Sequence, residues 1–273
     1  AELGGMLGSL GVIELADADV LARFVLPAFG ELPPTKQAAV RAHVLDHWPS
    51  LRADAGATAA LRATRFVPVR GELMAPAAAL DPRNALFSYV FGGDGHFPDA
   101  ECAGEEWLGV LVELGMKTAV DRESFLRCAR RLHGLAADAA PNAPPPDVMS
   151  RAALLATHFI AHFDALADWG DGTAGDGADD GMGAREFIDA LRGVRFVPAR
   201  APCARSAPFC GPPTLAAFSE LAVAADRLLV WSAAPLLKEE WTPPRERWAA
   251  LGLVSPPPAG RVLEHARHLA ALP

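Results

Sequence analysis

Two pairs of histidines have the spacing that places two imidazoles on one face of a helix, a geometry that metal sites use. His158 and His162 form one pair, and His43 and His47 form the other. Phe159 occupies the position at which a zinc hydrolase of the H-E-x-x-H type carries its glutamate. Because the pattern offers neither pair a third ligand, we expect the histidines to lie on helix surfaces or at helix contacts, without a metal.

An acidic segment at 168–183 is rich in Asp, Gly and Ala. Its end, Asp179-Asp180-Gly181-Met182-Gly183, is similar to the nucleotide loop of GHKL-type ATPases. Such a loop follows an apolar strand and works with an upstream helix that bears a catalytic Glu and a Mg-binding Asn, and these are missing here. The composition instead predicts a flexible insert. A metal- or nucleotide-dependent enzyme that uses His158, His162 and this loop is the alternative hypothesis.

Nucleophiles also lack the patterns of catalytic sites. The chain has no G-x-S-x-G elbow, Walker A motif or glycine fingerprint for dinucleotides, and Ser88, Ser124 and Ser206 have no patterned base. Cys128 lies in an amphipathic pattern and is predicted to be a core thiol. Cys203 and Cys210 flank a proline-rich stretch where a disulfide is conceivable. We therefore expect no enzyme activity, no cofactor and no metal.

Charge and hydropathy limit the partners. The 273 residues carry a formal net charge of −8, which argues against a nucleic-acid binder because such proteins present a basic surface. No apolar run reaches the length of a membrane span, and the four cysteines form no C-x-x-C pair. We expect a cytoplasmic protein. The chain begins without Met or a signal peptide, which suggests a piece of a longer protein.

One phrase occurs twice and indicates an internal duplication. The sequence from Arg65 to Arg70 returns, with one change, from Arg195 to Arg200, and a Leu-Arg pair precedes each copy. A second phrase, Leu-Gly, follows at Leu114 and again at Leu251. A helix pattern closes each copy at 125–132 and 262–269. The repeated residues are structural types rather than catalytic ones.

The duplicated phrase predicts a short strand that enters a turn and returns as a hairpin. Glu72-Leu73-Met74 is the predicted return strand, and Asp121 is the predicted cap of the helix that closes the first copy. Because an isolated hairpin is only marginally stable, we expect each one to pack on the helix that follows it. In the first copy this packing buries residues that include Phe66, Val67, Phe87, Val90, Leu111 and Leu114.

The predicted fold class is α+β and helix-rich, with two diverged modules that each pack a short β-hairpin or small antiparallel sheet on helices. The predicted organisation is a helical segment at 1–60, a first hairpin-plus-helix module at 61–140, a helix with the acidic insert at 141–183, and a second hairpin-plus-helix module at 184–273. Residues 136–147 are predicted to form a linker.

The order of these phrases resembles the sacsin family, which includes the plant No Vein-like giant proteins. The resemblance rests on the run 66–91 with its Asp-Pro-Arg-Asn turn, on 96–101, 108–120 and 125–132, and in the second copy on 195–199, 212–221, 226–241 and 251–270. Residues 10–32 resemble the stretch that precedes them. The GHKL ATPase, ubiquitin-like, J and HEPN domains of that family are absent from this sequence.

The resemblance implies a non-catalytic structural or interaction segment of a large cytosolic co-chaperone that works in protein quality control. Its partners would be other domains of the same chain and, further, heat-shock chaperones or unfolded clients, with no nucleic acid or membrane. A spacer without a partner of its own is the third hypothesis. The motif residues that carry over are structural: Phe66, Pro68, Gly71, Pro76, Asp81, Pro82, Arg83, Asn84, Gly115, Phe196, Pro198, Gly252, Pro256 and Pro257.

Overall fold

The structure, a computed structural model, describes residues 15–139, 143–167, 182–203 and 211–271. The fold is α+β and helix-rich, as the sequence predicts. In these residues the strands form two separate antiparallel sheets of two strands each. The chain divides into two compact units. The first contains the described residues up to Ser88 with Gly93–Ala119, and the second contains Tyr89–Gly92 and the described residues from Val120 onward.

The first unit consists of short helices around one hairpin. Pro33 precedes the second helix and Pro34 opens it, because a proline in the first turn gives up no hydrogen bond and is already set to a helical φ. The last three residues of the helix Ala85–Phe91 belong to the second unit. The elements are α1 (Asp17–Val20), which continues as a π-turn (Leu21–Val25), α2 (Pro34–Asp46), α3 (Trp48–Leu51), α4 (Ala55–Ala63), β1 (Val67–Val69), β2 (Glu72–Met74), α5 (Ala85–Phe91) and α6 (Glu105–Glu113).

The core of the first unit surrounds Phe66, at the start of the hairpin. Its ring lies 6.3 Å from the ring of Phe29 and 6.3 Å from that of Trp107 on α6. In the hairpin Val67 pairs with Met74. β1 and α6 contribute to the same cluster of buried side chains, so this hairpin packs on the helix that follows it. All six residues predicted to be buried with it are buried, but Phe87 and Val90 are not part of this cluster, and Val90 belongs to the second unit.

The second unit contains the longer helices. Asp121 caps the first of them, α7 (Arg122–Ala139), as predicted, since its Oδ1 accepts the backbone N–H of Ser124 at 2.8 Å. α7 continues through Ala139 and the next helix begins at Pro146, so the predicted linker is wrong at 136–139 and at 146–147. The elements are α7 (Arg122–Ala139), α8 (Pro146–Ala161), α9 (Phe163–Ala167), α10 (Ala184–Leu191), β3 (Val197–Arg200), β4 (Pro213–Ala216), α11 (Arg227–Val230), α12 (Trp248–Leu251) and α13 (Ala259–Ala270).

Phenylalanine rings fill the core of the second unit. The ring of Phe125 on α7 lies 5.4 Å from that of Phe159 on α8, 5.8 Å from Phe187 on α10 and 5.7 Å from Phe196 beside β3. The second hairpin therefore packs on helices that precede it in sequence, and the expectation that its following helix would cover it is wrong. The two helices that follow this hairpin directly, α11 and α12, have four residues each, and the longer closing helix α13 packs against a separate cluster.

The two closing helices of the duplication have different environments. Leu132 on α7 is fully buried, whereas Leu269, its counterpart on α13, is 40% exposed. α7 lies in the second unit and supplies part of its core, although it ends the first copy in sequence. α13 instead contributes Val262 to a small separate cluster that contains Val230 and Leu236. The duplication is therefore visible in local motifs more than in how the closing helices pack.

None of the helices in the four described ranges combines the length and the apolar composition that crossing a membrane requires.

Candidate functional site

The first Leu-Gly phrase ends α6 with a left-handed glycine. Gly115 has φ +103°, and the backbone N–H of Met116 donates to the carbonyl of Leu111 at 2.8 Å. This is the hydrogen bond of a Schellman cap, which satisfies a carbonyl that the helix itself leaves free. The side chain of Arg62 adds a bond at 3.1 Å to the carbonyl of Glu113 in the same helix end. Arg62, from the Leu-Arg pair that precedes the hairpin, thus stabilises the C-terminal end of α6, which follows the hairpin.

The second copy builds the same helix end. Gly252 has φ +83°, and the N–H of Leu253 donates to the carbonyl of Trp248 at 2.9 Å. The guanidinium of Arg192 donates to the carbonyl of Ala250 at 2.6 and 3.0 Å. Each residue of this arrangement has its counterpart in the first copy. The repeated residues therefore cap helix C-termini, where an arginine also interacts favourably with the helix dipole.

The turn of the first hairpin is formed by the last residues of the repeated phrase and is supported by Asp99. Arg70 and Gly71 have φ +54° and +81°, as a two-residue type I′ turn requires. The Asp99 carboxylate accepts both of their backbone N–H groups, at 2.8 and 3.2 Å, and the Asp99 N–H donates to the carbonyl of Pro68 at 2.8 Å. Pro76 is buried at the start of the next turn. These residues shape the hairpin and its exit.

The Asp-Pro-Arg-Asn turn contains a tight ion pair. The Asp81 carboxylate accepts the backbone N–H of Arg83 at 2.9 Å and its guanidinium at 2.8 Å, and Glu105 approaches the other side of that guanidinium at 3.2 Å. Burial raises the pKa of Asp81, but the hydrogen bonds and charge of Arg83 outweigh it, so the pKa lies below its usual value. An aspartate held ionised in this way is a poor general acid.

The other residues of this turn connect backbone segments. The side-chain oxygen of Asn84 accepts the N–H of Leu86 at 3.0 Å in the first turn of α5, and its amide donates to the carbonyl of Thr118 at 2.9 Å. The hydroxyl of Ser88 donates to the carbonyl of Pro82. The predicted motif residues of the first copy are thus brought together as supports of the backbone.

The second copy replaces this turn with a different ion pair. The guanidinium of Arg195 binds both oxygens of Glu220 at 2.9 Å, and Glu220 also accepts the N–H of Ala217 at 3.1 Å. Burial raises the pKa of Glu220, but these bonds outweigh it, so the pKa is lowered. Arg195 also donates its backbone N–H to the ring of His133 on α7 at 3.0 Å. Sequence reasoning did not find this pair, since no motif links positions 195 and 220.

The remaining motif residues of the second copy are also structural. Phe196 and Pro198 are buried at the second hairpin, and Pro257, which follows Gly252 in sequence, is also buried. Pro256, by contrast, is exposed.

Within each histidine pair the two rings contact each other, stacked in the first pair and tilted in the second. The ring centroids of His43 and His47 are 4.2 Å apart, and those of His158 and His162 are 4.3 Å apart. Burial and the neighbouring His162 lower the pKa of His158. Across the described ranges, no three His, Cys, Asp or Glu side chains come close enough to hold a metal ion. Residues 168–181, which carry most of the acidic loop of the alternative hypothesis, lie outside those ranges.

Two cysteines are buried, inert thiols. Burial raises the pKa of Cys102 and of Cys128 to about 12, so both are protonated at neutral pH. The prediction that Cys128 is a core thiol is confirmed by its full burial. Cys210 lies outside the described residues, and with it the conceivable bond to Cys203.

A serine and a histidine that the sequence did not connect lie in hydrogen-bond contact. The hydroxyl oxygen of Ser232 is 2.6 Å from Nδ1 of His265, whose Nε2 is 3.2 Å from the carbonyl of Leu228. This is the spacing of a nucleophile and its base. Only 2% of Ser232 and 4% of His265 are exposed, so a substrate would not reach the hydroxyl. The pair joins the turn that follows α11 to α13.

A groove is the concave feature of the second unit that sequence reasoning missed. We call it the Trp241 groove: it is formed by residues 144–153 at the start of α8, by β3 and the start of β4, and by residues 236–241, and its volume is about 390 Å³. Its walls are far apart in sequence, so no local pattern could have revealed it.

Comparison of the chain with protein-family models, with curated proteins and with solved structures gives no match.

Proposed function

We propose that this chain is a non-catalytic structural and interaction segment of a large cytoplasmic co-chaperone of the sacsin type. The observation that carries the proposal is the duplicated helix end, in which Gly115 with Arg62 and Gly252 with Arg192 do the same structural work. Residues that recur because they cap helices support a repeated building unit rather than a catalytic centre.

The environment of the reactive groups supports the same proposal. The ion pair of Asp81 with Arg83 stabilises a turn, and the Ser232–His265 pair is buried between helices. Cys102 and Cys128 are protonated at neutral pH because they are buried. Each of these groups holds the backbone or the core, and none combines reactivity with access.

The interaction part of the proposal is tested with a permanently unfolded protein, such as a reduced and carboxymethylated secreted protein, titrated into the chain by calorimetry. The same protein in its native, disulfide-bonded form is the matched control. We expect heat of binding with the unfolded form alone. Two results together would contradict the interaction role and leave the spacer hypothesis. The first is that the chain binds both forms equally or binds neither, and the second is that it fails to retain a seventy-kilodalton heat-shock chaperone.

The enzyme hypothesis has its own test. Its metal-dependent form is tested by elemental analysis of the purified chain, with the variant His158→Ala/His162→Ala as control. Its nucleotide-dependent form is tested by a thermal-shift titration with nucleotides. We expect no stoichiometric metal and no nucleotide-dependent shift. Metal that is present in the natural chain and lost in the variant would favour the enzyme hypothesis over our proposal.

A further inference from the structure

The Trp241 groove is lined mainly by apolar residues. Its lining includes Pro146, Pro198, Pro213 and Met149, with Trp241 as its aromatic residue. The indole N–H of Trp241 donates to the hydroxyl of Thr157 on α8 at 3.2 Å, which fixes the ring. Because prolines lack rotatable side chains and the tryptophan is already held, little conformational entropy is lost when a ligand binds.

The prolines also decide how a ligand can bind. Pro198 lies within β3 and Pro213 begins β4, and a proline has no backbone N–H to offer to an added strand. Extension of the sheet by a partner strand is therefore disfavoured at both strands of this hairpin. A ligand must instead be recognised by its side chains and by its apolar surface.

The charge of the groove is positive, in a chain whose net charge is −8. Arg200 and Lys238 are the charged residues among those described as lining it, and no carboxylate is among them. The ammonium of Lys238 lies 4.7 Å from the centre of the Trp241 ring, and its pair with Glu240 at 3.2 Å is half-exposed on both sides, where such pairs are weak.

A helix end adds to this positive potential. The N-terminus of α8 begins at Pro146, a residue of the groove, and its N-cap residue Pro145 supplies no side-chain hydrogen bond. The positive end of the helix dipole thus lies at the groove. Asp147 in the same turn is paired with Arg151 at 3.2 Å.

We propose that the Trp241 groove is a docking site for an extended peptide segment of a partner protein that carries a carboxylate next to apolar residues. The apolar side chains would pack against Trp241 and the prolines, and the carboxylate would lie between Arg200 and Lys238. The inference rests on the proposed function as an interaction segment and assigns to it a surface and a ligand chemistry.

The test uses fluorescence anisotropy with a short labelled peptide in which one Glu lies among Leu and Pro residues, and the same peptide with Gln in place of that Glu. We expect the Glu peptide to bind more tightly. Arg200→Glu and Lys238→Glu should each weaken its binding about fivefold or more, because each removes one exposed charge interaction and adds a carboxylate that repels that of the peptide. The matched control is Arg267→Glu, an exposed arginine on α13 that does not line the groove, and it should leave binding unchanged.

A second variant tests the apolar part without removing a charge. Ser150 is exposed at the edge of the groove, so Ser150→Trp should fill the groove, abolish binding of the Glu peptide and leave the circular dichroism spectrum unchanged. Equal affinity for the Glu and Gln peptides, an equal loss with Arg267→Glu, or binding that survives Ser150→Trp would overturn the inference. Unfolded protein that binds the chain with unchanged affinity in all these variants would overturn it too, while leaving the proposed function intact.

Discussion

The two left-handed glycines offer a comparison within one chain. A Cβ atom added to Gly115 would meet no atom within 4 Å, whereas one added to Gly252 would lie 3.0 Å from Cβ and 3.2 Å from Cα of Ser219, and 3.5 Å from Cγ of Arg192. Both positions have positive φ, +103° and +83°. Substitution by alanine therefore causes backbone strain at both sites and a steric clash at one.

The magnitudes follow from these distances. Left-handed backbone costs a residue with a Cβ about 1–2 kcal/mol, so Gly115→Ala should lower local stability by about that amount. Gly252→Ala should lower local stability by about 1–3 kcal/mol more, because such short contacts force the surrounding atoms to move. Ser219→Gly removes the nearer of the two contacts. The double variant should therefore show a favourable coupling of about 1 kcal/mol in a double-mutant cycle.

The assay is amide hydrogen exchange followed by mass spectrometry, because the two units need not unfold together and a single midpoint would then be ambiguous. The amides of Met116 and Leu253 report directly, since each donates the capping hydrogen bond of its helix. Equal loss of protection in Gly115→Ala and Gly252→Ala, or no coupling between Gly252→Ala and Ser219→Gly, would refute the steric argument.

Three further predictions concern other residues. Arg70→Asn should raise the stability of the first unit by about 0.5–1 kcal/mol in urea unfolding, because asparagine tolerates the positive φ of the turn better than arginine does. Arg83 lowers the pKa of Asp81, so their ion pair stabilises the fold at neutral pH, and this stabilisation is lost as the pH falls through the folded-state pKa. Asp81→Asn should therefore lower the urea midpoint at neutral pH and reduce the loss of stability in acid. An unchanged dependence of stability on pH would contradict this. Cys102 and Cys128 should resist alkylation by iodoacetamide in the native chain at mildly alkaline pH and react once the chain is unfolded in urea. Rapid labelling of either thiol in the native chain would show that it is accessible and contradict the prediction.

Local signals predicted the features that depend on neighbouring residues. The Arg-Phe-Val-Pro phrase followed by Gly71 indicated a hairpin, and β1 and β2 form it with the expected strands. Asp121 before a helical pattern indicated a cap, and it caps α7. The repetition of Leu-Gly marked equivalent positions at Gly115 and Gly252, although not what they do. Such features involve a few adjacent residues whose conformational preferences are intrinsic, so sequence is sufficient for them.

Tertiary structure decided which surfaces meet. The second hairpin packs on α7 and α8 because Phe125 and Phe159 project large rings toward Phe196, and nothing in the spacing of those residues specifies that pairing. The contacts of Ser232 with His265 and of Arg195 with Glu220, like the walls of the Trp241 groove, join residues far apart in sequence. Contacts of that kind depend on the relative placement of whole helices, which arises from the sum of many weak packing interactions and not from any one motif.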